Sequence, residues 1–305
     1  TTFGQAGLFL HGTTVAINTI LERNGACTAL ITTRGFRDIY EIGRINRPEA
    51  YNLFFTKHDP LIPRSLRYEI SERVSAQGEV LIPLDEGELA QIVQQLKEHC
   101  IESVAILFLH SYVNPAHELR VKSTIEAQCP GVFVTTSHEI SQEYREFERT
   151  STVAANAYIG PRVRTYLAEM DARLEREAFR GTFHVVQSNG GLYDVRAAQR
   201  ECIRMLESGP AAGVIGTKAV CARLGIAGAI AFDMGGTTAK GAIVRDSLPL
   251  KKYEIEVARI HEFRDGSGLP AKIPVIDMIE IGAGGGSIAQ VDDRSVIQVG
   301  PRSAG

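Results

Sequence analysis

Between two β-rich runs, the stretch Ala229-Ile230-Ala231-Phe232-Asp233-Met234-Gly235-Gly236-Thr237-Thr238-Ala239-Lys240 gathers a carboxylate, two glycines and two hydroxyls into one short turn. Glycines let main chain approach a polyanion closely. Successive turn N–H groups form an anion-binding concavity, to which the Thr237 and Thr238 hydroxyls add donors. Asp233 closes the first run, where a carboxylate would hold Mg²⁺ directly or through water, because Mg²⁺ at phosphate sites takes one or two carboxylates and keeps several waters. The competing reading is an ordinary Gly-Gly hairpin without a ligand. A Walker loop would need G-x-x-x-x-G-K-[ST] opening a helix, a spacing absent here.

A second glycine run, Gly282-Ala283-Gly284-Gly285-Gly286-Ser287, follows an apolar stretch. So dense a run lets the backbone at Gly284, Gly285 and Gly286 lie against a flat or anionic ligand, although plain loops share the composition. A third group, His11-Gly12-Thr13-Thr14, falls between a strand and a helix start. Free N–H groups and hydroxyls there suit an anion or a polarised carbonyl, and His11 could exchange protons near neutral pH. An N-cap threonine and a structural histidine are the plainer readings of Thr13, Thr14 and His11.

Weaker features surround these. Ser188-Asn189-Gly190-Gly191 ends a strand at the kind of edge where α/β proteins bind ligands, yet Asn-Gly is also the ordinary turn dipeptide. Glu207-Ser208-Gly209-Pro210 opens a small-residue helix, open to phosphate contact or close packing. Arg145, Glu146, Glu148 and Arg149 read as a solvated charged face, with Arg149 also able to grip a polar substrate. No serine-hydrolase elbow and no zinc-ligand spacing of His and Cys occurs.

Positioning these groups requires a scaffold, and residues 6–137 alternate short apolar runs with amphipathic ones, the signature of parallel strands with crossover helices. Strands are predicted at 7–10, 29–32, 103–109 and 132–136. A helix over 15–24 would be stopped by Gly25 in the left-handed region. Asp85 and Glu88 form a capping-box-like start, with Leu89, Ile92, Val93 and Leu96 on one face. Asn114 and Pro115 supply an N-cap and a first-turn proline. Residues 44–82, rich in proline, read as a surface excursion. Beyond His138, a helix opening at Pro161, a strand over 182–187, a helix after Pro210, and strands at 227–232 and 240–245 are predicted.

The bulk numbers agree with a soluble globular protein: 305 residues, 44% hydrophobic, 23% charged, net charge −3. That length suggests two lobes. No basic field favours nucleic acid, and no apolar run is long enough to span a bilayer. Five cysteines without C-x-x-C spacing fit a reducing compartment, so a cytoplasmic location is expected.

Together the segments HGTTVAINTILERNG (11–25), ERTSTVAANAYIG (148–160), SNGG (188–191), SGPAAG (208–213), FDMGGTTAK (232–240), EIGAGGGSIA (280–289) and VGPRSAG (299–305) resemble the hydantoinase A family of ATP-dependent N-methylhydantoinases, 5-oxoprolinases and acetone or acetophenone carboxylase subunits. The resemblance implies an α/β, actin-like ATPase (ribonuclease-H-like) fold of two lobes, incomplete at both ends. Residues 1–137 would form a partial N-terminal-type domain lacking the first D-x-G-G-T loop, and 138–305 a partial hydantoinase A-type domain carrying the second. It implies ATP and Mg²⁺ as cofactors, with phosphate on Gly235, Gly236, Thr237 and Thr238, Mg²⁺ on Asp233 and nucleotide on Gly284, Gly285 and Gly286. His11, Thr13 and Thr14 would lie near the reacting centre, with Arg149, Asn189 and Gly190 toward substrate. The implied reaction is phosphorylation of a cyclic amide carbonyl followed by hydrolysis, with a hydantoinase B-type partner subunit. A ketone carboxylase and an actin- or chaperone-like ATPase switch are the alternatives.

Overall fold

The computed structural model describes residues 3–236, 238–259, 264–292 and 295–304. Four parallel strands form the first sheet in the order Arg67–Ile70, Thr28–Thr33, Ser103–Leu107, Phe133–Thr136. Every residue of Thr28–Thr33 and Ser103–Leu107 is buried. Successive side chains of a strand point to opposite faces, so such runs need cover on both sides. Ile31, Val104 and Ile106 accordingly pack with Leu89, Val93, Val121 and Ile125 of the helices Glu86–Glu98 and Ala116–Gln128. Leu30, Ala105 and Leu107 belong to a second cluster with Val153, Ala154 and Ala157 of the long helix Glu146–Arg176.

That second cluster continues to Phe183, Val185, Leu206 and Val275. It thereby joins the first sheet to a smaller one in which Leu8–His11 pairs parallel with Thr182–Val186, and Leu192–Asp194 adds antiparallel. A third sheet contains the hairpin Gly228–Met234 and Ala239–Arg245, with Leu248–Pro249 and Met278–Ile281 both antiparallel to the second strand. The helix Ser208–Leu224 covers one face of it through Ala211 and Val214 against Ala231, Ala242 and Val244. Ile230, Phe232, Met234, Ile279 and Ile281 of this sheet are exposed. The α/β class with parallel strands is the one read from the sequence. Among the described residues, no helix is long and apolar enough to cross a membrane.

Three local expectations are corrected. The helix over 15–24 ends at Leu21, and Arg23, not Gly25, takes positive φ (54°). Gly25 is needed for space: a Cβ there would lie 2.3 Å from the Tyr158 ring. The predicted surface excursion contains a sheet strand, Arg67–Ile70, hidden from sequence reading by its arginine and glutamate. Arg67 is buried by donating to the Ile62 carbonyl (3.0 Å) and Glu41 (2.8 Å) and by lying over the Tyr40 ring. Pro161 does not open a helix but lies inside Glu146–Arg176. An internal proline leaves the carbonyl four residues back without its donor. Here the Ser103 hydroxyl donates to that Ala157 carbonyl at 2.7 Å.

Candidate nucleotide-phosphate site

The hairpin register sets Met234 opposite Ala239 and Asp233 opposite Lys240, leaving residues 235–238 as the turn. The turn is closed by the Gly235 N–H donating to the Thr238 carbonyl at 2.9 Å. Because Met278–Ile281 pairs with the N-terminal half of Ala239–Arg245, the second glycine run emerges directly beside the turn. The Gly285 and Gly286 amides donate to the Gly235 and Gly236 carbonyls at 2.9 and 2.7 Å. A Cβ on Gly284 would sit 2.6 Å from the Gly235 carbonyl oxygen and 2.7 Å from the Thr238 nitrogen, which is why only glycine fits. The two glycine clusters, distant in sequence, are one structure.

This geometry divides the predicted amide donors. The Gly284 amide donates to the Ser287 hydroxyl at 2.8 Å within its own loop, and those of Gly285 and Gly286 brace the turn, so none of the three faces an open side. Among the described residues, the Gly236 and Thr238 amides have no acceptor. Asp233, Gly235 and Gly236 are exposed and Thr238 is half-buried; Thr237 lies outside the described residues. No group of three or more metal-ligating side chains occurs among the described residues. Asp233, exposed one residue before the end of its strand, could serve Mg²⁺ only in the sparse manner of phosphate sites, where phosphate oxygens and water complete the coordination.

Beneath the turn lies a buried ion pair that the sequence did not disclose. Lys240 Nζ is 2.6 Å from Glu207 and 3.4 Å from Glu280. Burial opposes the lysine's charge, but the two carboxylates together hold Lys240 above the usual lysine range. Glu207 also donates its backbone N–H to the Ser188 hydroxyl at 3.0 Å. Its neighbour Ser208 accepts from the Thr13 amide at 3.3 Å, and Gly12 packs so tightly on Gly209 that a Cβ there would meet the Gly209 Cα at 3.2 Å. Fold topology thus brings the histidine-threonine, serine-asparagine, glutamate-serine and turn segments into one contiguous region. Pairing of Lys240 with Glu280 follows from strand register, a long-range property with no local signal.

Several singled-out side chains are occupied elsewhere. His11 Nε2 is 3.0 Å from the Tyr166 hydroxyl, its ring packs against Phe9 and Phe183, and burial lowers its pKa. Thr13 is buried, its hydroxyl accepting from the Val15 amide, while the Thr14 hydroxyl accepts from Asn18. The Asn189 side chain accepts from the Gly191 amide, and Gly190, at φ 80°, packs on Ile215, whose side chain a Cβ would meet at 2.5 Å. Arg149 departs most from expectation. Of the charged face predicted around it, Arg145 is exposed and Glu146 half-buried, but Glu148 and Arg149 are buried, Arg149 being only 1% exposed. Its guanidinium lies on the Ser111 and Ser137 hydroxyls, 3.8 Å from the buried Glu118 and 5.4 Å from the Tyr112 ring. Glu148 is buried likewise, held by Arg44 at 2.8 and 2.6 Å.

Residues 2–129 match the hydantoinase/oxoprolinase N-terminal region and residues 149–305 the hydantoinase/oxoprolinase family. This chain belongs to the hydantoinase/oxoprolinase family. It is 44% identical to an uncharacterized protein of Methanocaldococcus jannaschii, over 99% of this chain and 45% of that protein. It is 35% identical to the caprolactamase subunit alpha of Pseudomonas jessenii, over 98% of this chain and 42% of that subunit. The crystal structure of the ATP-dependent caprolactamase superposes with a TM-score of 0.82 at 33% identity, covering 99% of this chain and 43% of that one. A nucleotide-free acetone carboxylase structure, from work on ATP-dependent acetone carboxylation, gives the same TM-score at 27% identity, covering 99% and 43%. The chain therefore spans less than half the length of these relatives.

Proposed function

We propose that the 233–238 turn binds the phosphates of ATP, and that the protein containing this chain activates the carbonyl of a cyclic amide by phosphorylation. The observation that carries this reading is a turn with two acceptor-free amides, Gly236 and Thr238, braced from behind by Gly284, Gly285 and Gly286 and flanked by the exposed Asp233. On this reading Asp233 holds Mg²⁺, which neutralises phosphate charge when bound. The turn amides orient the triphosphate, and Lys240, anchored by Glu207 and Glu280, fixes the strand from which the turn projects. The amide oxygen forms a bond to the γ-phosphorus as the bond to the β-phosphate oxygen breaks and ADP leaves. One water adds to the activated carbon and the C–N bond breaks, leaving an acyl phosphate and a free amine; a second water then cleaves the acyl phosphate to a carboxylate and inorganic phosphate. An unstrained amide is a poor electrophile, so this activation does the difficult work, and catalysis rests on positioning and charge.

A second reading, ATP-dependent carboxylation of a ketone, is supported by the acetone carboxylase likeness. The higher identity to the caprolactamase weighs toward the amide. A hydantoinase B-type partner in the cytoplasm completes the proposal. The exposed apolar residues Phe232, Met234, Ile279 and Ile281, beside the turn, support a further covering surface. Phosphate release by the full assembly, measured with caprolactam, 5-oxoproline, hydantoin, and acetone or acetophenone with bicarbonate, tests the reading. Stimulation by a cyclic amide is expected. Stimulation by ketone and bicarbonate alone selects the second reading, and release indifferent to all of these contradicts both.

A further inference from the structure

Away from the turn, a cavity of about 50 Å³ lies between the 44–58 segment, the start of the long helix and the hairpin Ile255–Val257/Leu269–Ala271. At roughly 10–15 Å³ for each water-sized occupant, it holds on the order of four such atoms. Its charged and titratable lining consists of Arg44, Lys57, His58, Glu148, Glu254 and Glu256. Three of these are carboxylates, but each already faces a cation: Glu148 faces Arg44 (2.6 Å), Glu254 faces Lys272 (2.7 Å) and Glu256 faces Arg259 (3.3 Å).

Lys57 is different. Its ammonium donates to the Glu41 and Ile42 carbonyls at 2.8 and 3.1 Å and stands 5.7 Å from the Phe147 ring centre. Among the described residues, no carboxylate pairs with it. Burial lowers its pKa, only partly opposed by the charge of Glu41. Beside it, His58 is only 8% exposed, and its Nδ1 is buried with no hydrogen-bond partner. A buried polar nitrogen without a partner is costly, as is a desolvated cation without an anion. One small anion would relieve both.

We propose that this cavity is an anion-binding subsite in which Lys57 Nζ and His58 Nδ1–H hold a carboxylate-sized oxyanion. The class fits the two donors, one cationic and one a neutral imidazole, and the room, which suffices for a head group only. The subsite is independent of the phosphate turn and of the reaction assigned to it.

The test uses two probes on the purified chain. Crystals soaked in sodium bromide should show an anomalous peak within hydrogen-bonding range of Lys57 Nζ and His58 Nδ1. Acetate, titrated at constant ionic strength, should bind saturably. Loss of one charge-assisted hydrogen bond in Lys57→Met should weaken acetate by about tenfold. His58→Phe should weaken it similarly, while His58→Asn, which retains a donor, stays near wild type. If Lys57→Met does not fold, the bromide map and the His58 pair decide. A cavity holding only water in bromide-soaked crystals, or acetate binding equal in His58→Phe and wild type, overturns the proposal.

Discussion

The Ser103 hydroxyl oxygen lies 2.7 Å from the carbonyl oxygen of Ala157, the acceptor that Pro161 deprives of its helical donor. A strand residue thus repairs a defect in the helix packed on it, and the repair lets a 31-residue helix run uninterrupted through a proline. The same hydroxyl is 3.2 Å from the Phe133 carbonyl on the neighbouring strand.

Removing it leaves a buried carbonyl unsatisfied. Ser103→Ala should destabilise the chain by about 1–3 kcal/mol in urea titrations. Pro161→Ala restores the missing N–H, so in that background Ser103→Ala should cost clearly less. An additive cycle would remove the explanation.

Gly284→Ala places a methyl against backbone at 2.6 and 2.7 Å, so the turn has to move. Gly285→Ala meets nothing nearer than 3.7 Å. Calorimetric titration of the full assembly with MgATP should show at least about a tenfold loss for the first, equivalent to roughly 1.4 kcal/mol, and little change for the second. Equal affinities in both variants would contradict the bracing role.

Lys240→Met strands Glu207 in the interior beside the turn. A buried pair broken on one side typically loses on the order of 3 kcal/mol, and Glu207→Gln added to Lys240→Met should recover much of it. Burial pushes the Glu207 carboxyl upward. A raised acid binds its proton more tightly when folded, so the deficit of Lys240→Met should grow as pH rises through the folded pKa and shrink on acidification. Chemical denaturation at several pH values measures this; a deficit independent of pH would argue against the buried carboxylate as its source.

His58 contributes the opposite pH sign. Burial, reinforced by Lys57 and Arg23, lowers it from 6.5 to about 4. The unfolded chain binds its proton first as pH falls, so stability should decline between the unfolded value and about pH 4. His58→Asn should flatten that decline, by up to about 3 kcal/mol across the window. Unchanged acid lability in the variant would assign the loss to other groups.

Much of this was legible in the residues. The alternation of apolar runs gave the parallel strands, and Asp85 caps its helix as its spacing with Glu88 predicts, accepting the Glu88 amide at 2.9 Å. Glu88, however, reaches the Ser71 amide and not back to Asp85, a tertiary choice. The glycine turn was visible because its chemistry is local. Its bracing by Gly284, its Lys240–Glu207–Glu280 support and the burial of Arg149 depend on strand pairing and on partners far along the chain. Periodicity also failed where a polar side chain is buried by pairing, as at Arg67, and where a proline is repaired from another element, as at Pro161.

The most direct measurement is nucleotide binding at the turn itself. Gly236→Val and Asp233→Asn are compared with wild type by titrating MgATP into the full assembly, with circular dichroism verifying the fold. Gly236→Val should abolish detectable binding. Asp233→Asn should weaken MgATP far more than metal-free ATP. Wild-type affinity in a folded Gly236→Val protein would place the triphosphate elsewhere and contradict the account.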